Sequence, residues 1–308
     1  MPLLNMTEAR HAVRAPVRIV GVIGSPVAHS LSPLLHTTAF DALGLGDTWC
    51  SFAFEVEPGQ AAAALADMRR SDVSGLSVTM PHKADVAALV DESSDVARRL
   101  NAVNCIVQRG GVLYGTNTDG EGFVASLARG AGFDPAGRRC LVAGAGGAAR
   151  AVVLALADAG ASQVAVVNRT PERAREAAAL AGPAGTTVAA SEQEALVEAV
   201  QAADLVVNAT PLGMAGTETL RDAMETARQW LVPPELLHEG QVAADLVYVP
   251  RPTPWLVEAA THGATTLDGL GMLVHQAAAQ VLLWTGQEPP VHTMWEAASE
   301  TMNPNPQW

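Results

Sequence analysis

The sequence predicts an α/β protein of two domains, one of them a doubly wound parallel sheet. Three observations carry this expectation. The chain has 308 residues, more than one compact core usually serves. From residue 138 onward, short and fully apolar strands alternate with helical segments, the pattern of a parallel sheet covered on both faces. Between the first of those strands and its helix stands a glycine turn, "GAGGAAR".

The elements follow in order. "VRIVGVIG" (17–24) is an apolar strand ending in Gly, and "SPLLHTTAFDALG" (32–44) has helical spacing with a Gly stop. "WCSFAFEV" (49–56) reads as a strand, "PGQAAAALADMRRS" (58–71) as a helix and "GLSVTM" (75–80) as a strand. "HKADVAALVDE" (82–92) opens a helix. "NAVNCIVQRGGVLYGTNTDG" (101–120) reads as a hairpin turning at Gly110-Gly111, and "EGFVASLARG" (121–130) as the helix leaving it.

The regular alternation then begins with strand, turn and helix in "RRCLVAGAGGAARAVVLALADAGA" (138–161). "QVAVVNRT" (163–170) and "PERAREAAALAG" (171–182) are the next pair. "ADLVVNAT" (203–210) and "QVAADLVY" (241–248) are further buried strands. The expected division is residues 17–119 with 269–308 as one domain and 120–268 as the other. Residues 1–16 read as a loose leader without the pattern of a secretory signal, and the tail "MNPNPQW" as poorly ordered.

Composition excludes several functions. Hydrophobic residues make up 49% and charged residues 17%, as in a globular chain with a generous core. The net charge of −13 argues against nucleic acid and anionic membrane as partners. No uninterrupted apolar run reaches the roughly 18 residues of a membrane span. Eight histidines show no ligand spacing, so no metal is expected. Cys50, Cys105 and Cys140 are sparse and isolated, which suits reduced thiols and a cytoplasmic setting.

Gly144, Ala145, Gly146, Gly147 and Ala148 form the turn, with Ala149 next. Gly144 permits the tight turn, Gly146 lets backbone approach a pyrophosphate at the helix N-terminus, and the small Ala149 permits close helix–strand packing. That is the dinucleotide-binding arrangement of a Rossmann domain. Specificity for NAD calls for a carboxylate at the end of the next strand. Here that strand ends in Asn168-Arg169-Thr170, whose guanidinium and hydroxyl suit a 2′-phosphate, so the expected cofactor is NADP(H).

Ser30 and Ser32 stand beside a helix start, with Ser32 placed as N-cap and Pro33 at the first helical position. Two hydroxyls there can hold a small carboxylate, although Ser-Pro is also an ordinary way to begin a helix. Lys83 is the only lysine, against 18 arginines. It follows a strand and opens a helix, where a cation does not help the helix. A lysine can exchange a proton and an arginine cannot. Asp119, at the expected domain boundary, is its candidate partner for acid–base work. The competing reading is a surface lysine and a turn aspartate.

Taken together, "GSPVAHSLSP", "SVTMPHK", "NAVNCI", "GTNTDGEGF", "GAGGAAR", "NRT", "NATPLGM", "DLVYVPRPTPWL" and "DGLGMLVHQAA" resemble, in order, the motifs of the shikimate dehydrogenase family over about residues 19–286. The resemblance implies an α/β N-terminal substrate domain, a Rossmann domain, and C-terminal helices packing back on the first. It implies reversible NADPH-dependent reduction of 3-dehydroshikimate to shikimate, a step of chorismate and aromatic amino-acid biosynthesis. By that likeness Ser30 and Ser32 hold the substrate carboxylate. Thr79, Asn104, Asp119 and Gln276 contact ring hydroxyls, Lys83 and Asp119 are the catalytic pair, and Tyr248 lies near the substrate. Asn168, Arg169 and Thr170 hold the 2′-phosphate, Asn208, Ala209 and Thr210 line the cofactor cleft, and Gly269 and Met272 approach the nicotinamide. Members occur as monomers and dimers, so a homodimer is one allowed assembly. Ser77 and Cys105 depart from the family's commoner Asn and Thr. Quinate or aminoshikimate dehydrogenase is the nearest alternative. A methylenetetrahydrofolate dehydrogenase is disfavoured by the paired serines, and a ligand sensor by the presence of both Lys83 and Asp119.

Overall fold

A computed structural model describes residues 3–13, 17–213 and 230–302. The chain divides into two compact units, Met1–Thr118 with Val274–Trp308, and Asp119–Leu273. The sequence places these boundaries at 119/120 and 268/269; the structure has them at 118/119 and 273/274.

The first unit is built on strands β1 (Arg18–Gly24), β2 (Trp49–Glu55), β3 (Val73–Val78), β4 (Glu92–Ser93), β5 (Cys105–Arg109) and β6 (Val112–Thr116). They form one sheet in the order β2-β1-β3-β5-β6-β4. β1 is parallel to β2 and β3, whereas β5 runs antiparallel to β3 and β6. The hairpin turns at Gly110 and Gly111, both with positive φ (58° and 84°), as a two-residue turn of this hand requires. Helices α1 (Met6–Ala12), α2 (Ser32–Ala42), α3 (Ala61–Arg70), α4 (Lys83–Ala87) and α5 (Asp95–Leu100) connect or flank the strands. Ile19, Ile23, Phe54, Leu65, Met68, Leu76 and Ile106 lie in its core.

Two expectations are corrected here. Residues 6–12 are not loose. Asn5 and Glu8 form a reciprocal capping box at the start of α1, Met6 and Ala9 enter the core, and Thr7 Oγ1 donates to Asp67 Oδ1 at 3.0 Å. The helix read over 82–92 stops after five residues at Ala87, because the chain turns into β4 and pairs with β6.

The second unit carries β7 (Arg139–Ala143), β8 (Gln163–Asn168), β9 (Gly185–Ala189), β10 (Leu205–Asn208), β11 (Val242–Asp245) and β12 (Thr265–Leu267). All are parallel, in the order β12-β11-β10-β7-β8-β9. This is the doubly wound order, with its reversal between β7 and β10. Its helices are α6 (Asp119–Ala131), α7 (Gly147–Asp158), α8 (Pro171–Ala179), α9 (Gln193–Ala202), α10 (Pro254–Thr261) and the first turn of α11 (Leu270–Thr285). Alternate residues of β7 feed two cores: Cys140 and Val142 pack with α6, α7 and α8, while Leu141 and Ala143 pack with α9 and α10. Burial on both faces is why the middles of the central strands β7, β8, β10 and β11 are apolar.

The chain returns to the first unit within α11 and ends its described part in α12 (Val291–Met302), which packs on α2. Trp284 of α11 lies over Gly75 of β3, where a Cβ would fall 2.1 Å from its Nε1, and donates that N–H to Ile106 O at 3.0 Å. The tail from 303 lies outside the described residues.

Candidate active site

In the first unit the parallel strands β1 and β3 end at one sheet edge, where antiparallel β5 begins and β6 ends. Backbone bonds knit this edge together. Thr79 N donates to Ile23 O at 2.9 Å, Val78 N to Asn104 O at 2.7 Å, Asn104 N to Thr116 O at 3.0 Å, and Val103 N to Lys83 O at 2.9 Å. These bonds bring Thr79, Lys83 and Asn104 to this edge; Ser30 and Ser32 lie in the segment that follows β1, before and at the start of α2. Gly24 admits no side chain here, since its Cβ would fall 2.4 Å from Thr79 Cγ2.

The serines differ from expectation in detail. Ser32 is the first residue of α2, and Leu31 occupies the N-cap without a side-chain bond. Ser30 Oγ accepts from Ser32 N at 3.2 Å, so the earlier hydroxyl takes the capping task. Lys83 is half-buried at the start of α4, and the preceding His82 is fully buried with Nε2 2.6 Å from Val56 O. Asn104 is buried; its Oδ1 accepts from Thr118 N at 2.8 Å, and Thr118 Oγ1 donates to Gln276 O at 3.1 Å. Gln276 is thereby held to the same edge. Ser77 and Cys105, the two departures from the commoner pattern, are register partners across β3 and β5.

Asp119, buried, is the first residue of the second unit and of α6. The rest of that unit's candidates stand at or beyond the carboxyl ends of its strands. Gly144 has φ +116°, and a Cβ there would lie 2.9 Å from Ala209 O. Ala209 N donates to Ala143 O at 2.8 Å, so the two loops at the reversal point are bonded together. Asn208 Oδ1 accepts from Thr210 Oγ1 at 2.7 Å. Gly146 caps α7 without a side chain, and added Cβ atoms at Gly146 and Gly147 would meet open space. Backbone N–H groups at such a helix start can receive phosphate oxygens. At the end of β8, Arg169 and Thr170 are exposed, and Thr170 is the N-cap of α8 with no side-chain cap bond. A guanidinium, a hydroxyl and a helix N-terminus fit a phosphate dianion. Beyond β11, burial raises the Tyr248 phenol above its ordinary pKa. Gly269 N donates to Val247 O at 3.2 Å, and a Cβ on Gly269 would fall 2.1 Å from Leu246 O. Met272 packs against the core that contains α6 and α7.

Sequence reasoning gave no role to Thr118, Gln280 or Asp245. Gln280 follows Gln276 by one helical turn, a spacing that puts both on one face. Asp245, 1% exposed, accepts from Asn208 Nδ2 at 3.1 Å, Val247 N at 3.1 Å and Thr253 Oγ1 at 2.7 Å. It joins the end of β10 to the start of α10. Among the described residues, no three His, Cys, Asp or Glu side chains could hold a metal ion, and no helix is long and apolar enough to cross a membrane.

Three family models match: the shikimate dehydrogenase substrate binding domain over residues 22–106, shikimate / quinate 5-dehydrogenase over 126–229, and the shikimate 5'-dehydrogenase C-terminal domain over 269–298. A shikimate dehydrogenase (NADP(+)) of Moorella thermoacetica is 45% identical over 294 residues, covering 94% of this chain and 95% of its own. The crystal structure of shikimate 5-dehydrogenase from Thermus thermophilus in complex with NADP(H) and shikimate is similar with a TM-score of 0.80 and 38% identity, covering 92% of this chain and 99% of its own. Quinate dehydrogenase from Corynebacterium glutamicum in complex with NAD is similar with a TM-score of 0.80 and 30% identity, covering 92% and 99%.

Proposed function

We propose that this chain, which belongs to the shikimate dehydrogenase family, catalyses the reversible NADPH-dependent reduction of 3-dehydroshikimate to shikimate, a step of aromatic amino-acid biosynthesis. The observation that carries the reading is the sheet edge of the first unit. Thr79, Asn104, Gln276 and the chain's only lysine share it, and such polar groups suit a small hydroxylated acid.

In this reading Ser30 and Ser32 bind the substrate carboxylate, and Thr79, Asn104, Asp119 and Gln276 bind its ring hydroxyls, with Tyr248 close by. NADPH, when bound, supplies the hydride. Gly144 to Ala148 would receive its pyrophosphate, and Asn168, Arg169 and Thr170 its 2′-phosphate. Asn208, Ala209 and Thr210 would flank it, with Gly269 and Met272 near the nicotinamide. Lys83 gives a proton to the C3 oxygen in the reductive direction and takes it back in the oxidative one. Asp119 is the carboxylate that keeps that ammonium oriented. A positioned acid of this kind accelerates the step by roughly 10²–10⁴-fold.

The test is oxidation of shikimate and of quinate, each with NADP+ and NAD+, followed at 340 nm. The match to a shikimate / quinate model and the likeness to a quinate dehydrogenase make quinate the second substrate to measure. Preference for shikimate with NADP+ is expected; a preference for quinate or for NAD+ rejects that part of the reading. The free thiols Cys50, Cys105 and Cys140 support a cytoplasmic setting. Monomer and homodimer both serve this reading, and sedimentation distinguishes them.

A further inference from the structure

A run of polar side chains in the first unit, buried except for the half-buried Ser51, leads from β2 to Gln276, and the mechanism above does not use it. Ser51 Oγ lies 2.9 Å from His36 Nδ1. His36 is 0% exposed, and its ring meets Trp284 edge to face with centroids 4.8 Å apart. Gln280, also 0% exposed, donates through Nε2 to Gln276 Oε1 at 2.8 Å and to Asn104 O at 3.3 Å. Two buried atoms remain without a partner at full hydrogen-bond geometry, His36 Nε2 and Gln280 Oε1. They are complementary, and an interaction with Gln280 acts on the imidazole against the effect of burial.

The polarity of this run is determined from one end. Asn104 O is a backbone carbonyl and can only accept, so the end of Gln280 facing it is its NH2. Gln280 Oε1 is then an acceptor in need of a donor. Burial lowers the His36 pKa to about 3, so the ring is neutral and carries a single N–H. The donor that Gln280 Oε1 needs assigns that proton to Nε2, which leaves Nδ1 to accept from the Ser51 hydroxyl. At the other end, Gln276 meets the Gln280 NH2 with its own oxygen, so its NH2 is directed away from Gln280.

We propose that Ser51, His36 and Gln280 act as positioning residues that orient the Gln276 carboxamide so that its NH2, and not its oxygen, is offered to the substrate ring. This rests on the reading that Gln276 binds substrate. It makes Gln276 a hydrogen-bond donor, selecting a ring oxygen with an available lone pair.

Two experiments decide it. Long-range ¹H–¹⁵N correlation on the wild-type protein should give His36 as the neutral Nε2–H tautomer throughout about pH 5–9. An Nδ1–H tautomer, or a ring that titrates in that range, overturns the relay whether or not the protein oxidises shikimate. If shikimate is not turned over at all, the proposed function fails and the tautomer still decides the relay. The second experiment compares Gln280→Met, Gln276→Ala and the double variant, with thermal melts to identify any that fail to fold. Gln280→Met should raise the KM for shikimate about tenfold and leave that for NADP+ within about twofold. The double variant should be no worse than Gln276→Ala alone. Additive losses, or an equal rise in both KM values, overturn the proposal. Should Gln280→Met not fold, the His36 tautomer alone decides between the two outcomes.

Discussion

Replacing Asp245 by asparagine should remove a specific pH dependence of stability. Asp245 ends β11 and is buried, with three hydrogen-bond donors around its carboxylate. Burial raises its pKa from 3.8 to about 6; the donors Thr253, Val247 and Asn208 oppose the rise, and the nearby Asp268 adds to it. Asp268 is itself paired with Arg251 at 2.5 Å. The folded pKa lies above the unfolded one, so between the two values the folded chain binds more protons. Stability therefore falls as pH rises through that window. Below about pH 3.8 both states are protonated and above about pH 6 both are ionised, so this group contributes no slope outside it. At 1.36 kcal/mol per pH unit, the fall amounts to about 3 kcal/mol. The carboxamide of Asp245→Asn would keep an acceptor oxygen for Asn208 and Val247 and would not titrate. Urea denaturation of both proteins at intervals from about pH 4 to 8 gives the difference directly. The variant should gain about 3 kcal/mol on wild type between the ends of the window. A difference that is flat with pH would refute the reasoning, because Asp245 would then be ionised as easily folded as unfolded.

Lys83→Ala should lower kcat by roughly 10²–10⁴-fold with NADP+ affinity unchanged, and Lys83→Arg should be as slow, since a guanidinium does not exchange its proton. Activity within a fewfold of wild type would remove Lys83 from the chemistry. Arg169→Ala should raise the KM for NADP+ by roughly ten- to a hundredfold, the loss of a charged hydrogen bond, while NAD+ is used as before; equal effects on both coenzymes would deny it the 2′-phosphate. Gly75→Ala places a Cβ 2.1 Å from Trp284 Nε1, so the indole must move and its bond to Ile106 O is lost. The expected cost is about 2–4 kcal/mol by urea denaturation, and a neutral substitution would show that the contact relaxes freely.

The parts of the fold visible in the sequence were those with local signals. The apolar middles of β7, β8, β10 and β11 stand out because both faces of each are covered. The hairpin stood out because Gly110-Gly111 can adopt the positive φ that its turn demands. Two elements were missed for different reasons. The capping-box pair Asn5 and Glu8 was present in "NMTE", but what orders α1 is burial of Met6 and Ala9 against residues some 50 positions away, which no local pattern reports. β4 is two residues long and exists only through its pairing with β6. The Ser32 expectation erred by one residue because Ser30 supplies the hydroxyl. Among the site residues, the motif string found the residues that would touch ligand. It passed over Asp245, Gln280 and His36, most of whose partners come from other strands and helices; residues 36 and 280 are neighbours only once Trp284 of α11 packs against α2 and β3.

The single lysine also makes the molecule addressable. Apart from the α-amino group, a chain of 308 residues offers an amine-selective reagent one position, half-buried where α4 begins. A dye or reversible aldehyde attached there would sit at the sheet edge with Thr79 and Asn104, and its rate of attachment would read out whether that edge is occupied. A lysine-specific protease would have a single bond to cut, between Lys83 and Ala84, and protection of that bond would report the same thing in a gel lane.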